Sequence, residues 1–188
     1  LAARSLVGQL WFTLQLGRVA LYRGQFAAAR RWLLEQTAIC RTTGWRRPIT
    51  LGLSALAIVE AQYGDVDAAA AALAERDATG YATIELFATE GIRGDAWLLA
   101  ARGDREGARR LLLEAAALAE AAGMTINGAD VRFDALRLGD GDQAAPLAAA
   151  AAVAESATIE LAARWAASPD DGEVLEEVAA GFEALDGL

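Results

Sequence analysis

Of the 188 residues 55% are hydrophobic, alanine is the commonest of them and only three are proline, a composition that favours long, uninterrupted helices. No run of consecutive β-branched residues exceeds two, so strands have no support. All 17 basic residues are arginine, against 26 acids, and the net charge of −9 opposes non-specific binding to phosphate backbones.

Read in chain order, the sequence predicts ten helices, over 3–23, 25–43, 46–63, 65–78, 81–102, 104–122, 125–138, 140–154, 157–167 and 170–186. Paired, they make hairpins at about 3–43, 46–78, 81–122, 125–154 and 157–186. Four turns carry the same signature. Gly24, Gly64, Gly103 and Gly139 stand 40, 39 and 36 positions apart, and five residues after each comes an alanine: Ala29, Ala69, Ala108 and Ala144. A glycine can take the left-handed conformation that closes a helix. Asp65, Asp104 and Asp140, directly after three of these glycines, can accept hydrogen bonds from the free amides of the next helix. The alanine lets the second helix approach the first, and so short a connection makes the two antiparallel neighbours.

Further breaks fall at Thr43-Gly44, Thr79-Gly80, Gly123 and Glu155-Ser156. The stretch 46–63 is apolar nearly all round, which fits an interior helix. Over 104–122, Ala108, Leu111, Leu112, Ala115, Leu118 and Ala119 form one stripe at helical spacing. Ser168-Pro169-Asp170-Asp171 reads as a helix start with a capping serine and a proline near the first turn. The chain opens on Leu1 inside one helical run and closes on Leu188 directly after another, so it reads as one 188-residue repeat domain cut from a longer protein.

Chemistry finds little footing. Without lysine there is no phosphate-binding loop of the Walker type. Without histidine the usual general base, the Ser-His-Asp and Cys-His arrangements and most zinc sites are missing. Asp140-Gly141-Asp142 has two acids of a calcium loop but no closing glutamate, and reads better as a helix start. Glu173 with Glu176 or Glu177 is a solvated face. Arg46-Arg47 and Arg109-Arg110 could meet an acidic ligand, but surface solubility or charge at a helix C-terminus explains them more simply. Cys40 is alone, so it forms no internal disulfide and is read as a small buried residue in a reducing, cytoplasmic compartment. The alanine-rich stretch 148–154 is too short to span a bilayer, and no secretory signal is seen. No catalytic, metal or cofactor residue is expected.

The glycine–alanine spacing resembles the tetratricopeptide repeat. Gly17, Gly24, Ala29 and Leu33 look like its signature positions in the first unit, Ala57, Gly64, Ala69 and Leu73 in the second, and Ala96, Gly103, Ala108 and Leu112 in the third. The fourth departs, with Arg132 at the first of these positions and Pro146 in the second helix, and the units exceed the usual 34 residues. The resemblance implies an all-α, right-handed superhelical solenoid of antiparallel hairpins. A narrower likeness covers the C-terminal half. Leu136-Arg137-Leu138-Gly139-Asp140, Ala162-Ala163-Arg164-Trp165-Ala166-Ala167 and Phe182-Glu183-Ala184-Leu185 look like the helical-repeat region of large ATP-binding LuxR-family transcriptional regulators. That family implies a ligand- or protein-binding sensor region between a nucleotide-binding domain and a helix-turn-helix. DNA would be met by that separate domain and not by this chain. Self-association through uncapped ends is the further partner expected. A free-standing scaffold unrelated to transcription and a helical enzyme with a carboxylate site are the competing readings.

In tetratricopeptide arrays the first helices of successive hairpins line a concave groove. The resemblance places Trp11, Arg18, Tyr22, Ser54, Gln62, Glu90, Arg93, Trp97 and Arg137 there. The mixture of aromatic and hydrogen-bonding groups suits a protein or small-molecule partner. Trp11 and Trp97, on helices rich in alanine and leucine, fit core or inter-repeat packing better than the groove. Alanine at Arg18, Glu90 and Arg93 together is expected to remove binding and leave the fold intact.

Overall fold

A computed structural model describes residues 5–82 and 87–186. It is all-α. Among the described residues ten α-helices and no strand occur: α1 Leu6–Tyr22, α2 Phe26–Thr43, α3 Arg46–Tyr63, α4 Val66–Ala78, α5 Ala88–Ala101, α6 Arg105–Ala121, α7 Thr125–Arg137, α8 Ala144–Ala151, α9 Ala157–Ala167 and α10 Gly172–Asp186. The chain falls into two compact units, Leu1–Ala108 and Arg109–Leu188.

The four glycine turns share one geometry. Gly24, Gly64, Gly103 and Gly139 all have positive φ, from 67° to 94°. At each, the amide of the residue after the glycine donates to the carbonyl five residues before it. Gln25 N bonds to Ala20 O at 2.9 Å, Asp65 N to Glu60 O at 2.9 Å, Asp104 N to Leu99 O at 3.0 Å and Asp140 N to Ala135 O at 3.0 Å. This is the paired closure in which a left-handed residue satisfies the last carbonyls of a helix. The aspartates then cap the next element, Asp65 accepting from Ala68 N at 2.9 Å and Asp104 from Gly107 N at 2.8 Å. Ala29, Ala69 and Ala108 are fully buried, as the close approach of paired helices requires.

In the first unit α3 is the hub. It packs against α1, α2, α4 and α5, so α1, α3 and α5 lie side by side in sequential order. Every residue of α3 from Ile49 to Ala61 is buried. Small residues set the spacing. A Cβ on Gly17 would fall 2.6 Å from Leu33 Cγ, and one on Gly94 3.1 Å from the Ser54 carbonyl oxygen. Arg41 clamps α2 to α4 through two 2.7 Å hydrogen bonds to Glu75, and this bonding holds the Glu75 carboxyl below its ordinary range.

In the second unit α8 packs on α7 and α9, and α9 on α10. Its core joins Ala129, Leu136, Leu147, Ile159 and Ala162. Phe133 sits beside it, edge-on to Trp165 and stacked on Phe182 at centroid distances of 5.6 and 5.7 Å. Arg132, the residue that breaks the small-residue pattern, reaches Glu120 at 2.6 and 3.0 Å and Gln143 at 2.9 Å.

Four helix starts differ from expectation by two residues or more. α1 begins at Leu6 and not at 3, Ser5 capping it by accepting from Gly8 N at 3.3 Å, and 3–4 lie outside the described residues. α5 begins at Ala88 and not at 81: Tyr81 and Ala82 are outside any helix, the Thr79 hydroxyl accepting from Tyr81 N at 3.1 Å, and 83–86 lie outside the described residues. α8 begins at Ala144 after a 3-10 turn, Gly141–Gln143, that Asp140 caps through Asp142 N at 3.1 Å. α10 begins at Gly172. Its cap is Asp171, which accepts from Glu173 N and Val174 N, and not Ser168.

Candidate functional site

The first unit brings four of the expected groove residues into two pairs that join α1 to α5. Arg18 forms an ion pair with Glu90, Nε to Oε2 at 2.9 Å, and its guanidinium lies 5.0 Å from the Phe87 ring centroid. Arg93 donates to the Tyr22 hydroxyl at 2.9 Å and stands over the same ring at 5.3 Å. Residues 72 and 71 positions apart are thus tied directly, one helix turn above the other. Glu90, Arg93, Trp97 and Ser54 are all buried, and Ser54 Oγ has no hydrogen-bond partner among the described residues. Gln62 is half-buried near the end of α3, and Trp11 and Tyr22 are partly exposed. Arg137 lies in the second unit, where it bonds to the buried Asp134 at 3.3 Å. Removal of Arg18, Glu90 and Arg93 together therefore also takes out packing contacts between α1 and α5 of the first unit.

A cavity of about 490 Å³ opens beside Trp11. The N-terminal half of α1 supplies Val7, Leu10 and Trp11. The α2–α3 turn and the first turn of α3 supply Gly44, Trp45, Arg46, Arg47 and Pro48, and Tyr81 borders the open side from beyond α4. Its position follows from local chemistry. Gly44 at φ 73° ends α2 and throws Trp45 outward. Pro48 sits in the first turn of α3, where a missing amide costs nothing. Gln36 Nε2, fully buried, donates to Pro48 O at 3.1 Å and holds that turn. Arg46 and Arg47 stand over the Tyr81 ring at 6.0 and 5.7 Å.

These two arginines open α3, at the start expected for the helix over 46–63, and the positive end of the helix dipole there disfavours cations. Arg46 is accounted for, since it donates to the last carbonyls of α4, Thr79 O at 3.0 Å and Ala78 O at 3.4 Å. Among the described residues no carboxylate pairs with Arg47. Sequence reasoning passed over Trp45 and Tyr81. The available signal was a basic pair at the start of a helix, flanked by Trp45 and Pro48.

Cys40 lies under this turn. Burial pushes its thiol up to about 11, and at pH 8 roughly one thiol in a thousand is then ionised. The folded chain should react with iodoacetamide at pH 8 far more slowly than the chain in denaturant. Equal rates in the two conditions would contradict its burial. Among the described residues no group of three potential metal ligands occurs, and no helix is long and apolar enough to cross a membrane.

No family model, curated protein or solved structure matches the chain.

Proposed function

We propose that this chain is a non-catalytic binding domain of tetratricopeptide type, whose hairpins continue as a right-handed solenoid. The observation that supports it most directly is the sequential side-by-side order of α1, α3 and α5, with an aromatic, arginine-bearing cavity at one end of that layer. Shape and exposed side chains, with no reactive group, would then do the work. The resemblance set out above extends the proposal. The chain would be the effector-sensing or oligomerisation region of a LuxR-family transcriptional regulator in the cytoplasm, with DNA contacted by another domain and no cofactor held here. A thermal-shift screen of the chain against metabolites and candidate peptides tests the binding role, because a ligand of the native state raises the melting temperature. A set of hits is expected; a screen without any would count against it. A helix-turn-helix encoded downstream in the same reading frame is the discriminator for the regulator assignment.

A second reading, a protein-interaction scaffold unrelated to transcription, is favoured by the outer side of α1. Phe12, Leu16 and Val19 are exposed there on one face, Phe12 at 73%, and the helix has no acidic residue. Peptide hits in the same screen together with no downstream DNA-binding segment would select this reading.

A further inference from the structure

The geometry points to the cavity between α1 and the α2–α3 turn as a site for an apolar organic acid, a ring or chain seated between the aromatic side chains with its carboxylate on Arg47. The inference rests on the binding-domain reading and gives that domain a ligand class.

Three observations carry it. The volume, about 490 Å³, falls in the range of roughly 300–1,000 Å³ found for small-molecule sites. The walls are mainly apolar and aromatic, with Leu10, Trp11, Trp45, Pro48 and Tyr81 contributing, so the body of the ligand must be apolar to gain from leaving water. The polar element is one-sided. Arg47 is exposed at the rim, has no carboxylate partner among the described residues, and is held over the Tyr81 ring. Its planar fork matches a carboxylate in two parallel hydrogen bonds. A cation beside the amino-terminal end of α3 is electrostatically misplaced until an anion joins it, and the anion interacts favourably with both. A phosphate or sugar would satisfy Arg47 but leave the aromatic walls without an apolar partner. A neutral hydrocarbon would do the reverse.

The probes are 4-phenylbutyrate and its uncharged amide, 4-phenylbutyramide, titrated into the 188-residue chain by calorimetry at low ionic strength. The acid should bind at least about ten-fold more tightly than the amide, as expected for a charge-assisted hydrogen-bond pair. Arg47→Gln should abolish that preference while leaving binding of the amide unchanged. Trp45→Ala should weaken both probes together. Arg31→Gln, on α2 and outside the cavity lining, should change neither. Circular dichroism of each variant checks that helix content is retained. Equal affinity of acid and amide, an acid preference that survives Arg47→Gln, or no binding of either probe would each overturn the inference. A ligand from the thermal-shift screen that stabilises the original chain and Arg47→Gln alike would keep the binding-domain reading and sink this one.

Discussion

Arg18→Ala is expected to lower the stability of the first unit by about 3–5 kcal/mol, the cost of leaving a buried charge without its partner. Glu90 is the charge left behind. Its side chain is 6% exposed, and Arg18 is the ion-pair partner that reaches it. The reverse change, Glu90→Ala, should cost less, toward about 3 kcal/mol, because Arg18 is 19% exposed, keeps its 2.9 Å bond to Gln15 and can turn toward water. Replacing both at once, as Arg18→Met with Glu90→Leu, should be near neutral, since the desolvation of two charges is relieved together. A double-mutant cycle over Arg18→Met, Glu90→Leu and the two together, from urea midpoints, reads this directly. If the two single changes simply add in the double variant, the pair carries no coupling and its structural role is wrong.

Ile58→Ala is the second large effect. Ile58 is fully buried at the middle of α3, the helix that four others pack upon. Shaving it to alanine removes apolar contact and leaves a cavity that helices held on several sides cannot easily close, a loss of about 2–5 kcal/mol. The urea midpoint should fall with the slope unchanged. Leu16→Ala, at an exposed position on α1, should stay within about 0.5 kcal/mol and serves as the comparison. A similar loss at both positions would contradict the central place of α3.

The hairpins were legible because their determinants are local. A glycine that takes positive φ and an alanine five residues on lie within one short window at all four turns, and an aspartate follows the glycine at three of them. The interior position of α3 was legible from its apolar run for the same reason. What escaped were the contacts between distant segments. Nothing near Arg18 in sequence announces that Glu90 will lie 2.9 Å away. Trp11, Arg47 and Tyr81 come from three separate stretches, and the cavity they share exists only once α1, α3 and the end of α4 are assembled.

The shared closure of the glycine turns has a kinetic consequence. Each is held by bonds between residues only three and five apart, as in Gly103 N to Ala100 O and Asp104 N to Leu99 O. The loop to be closed is minimal, so the entropic barrier to starting a hairpin is small. Helix pairs can nucleate one by one and recruit the neighbour already next to them in the chain, which is the regime of low contact order and rapid assembly. The 71- and 72-residue linkages between α1 and α5 would then form last, as latches on an array whose order is already set.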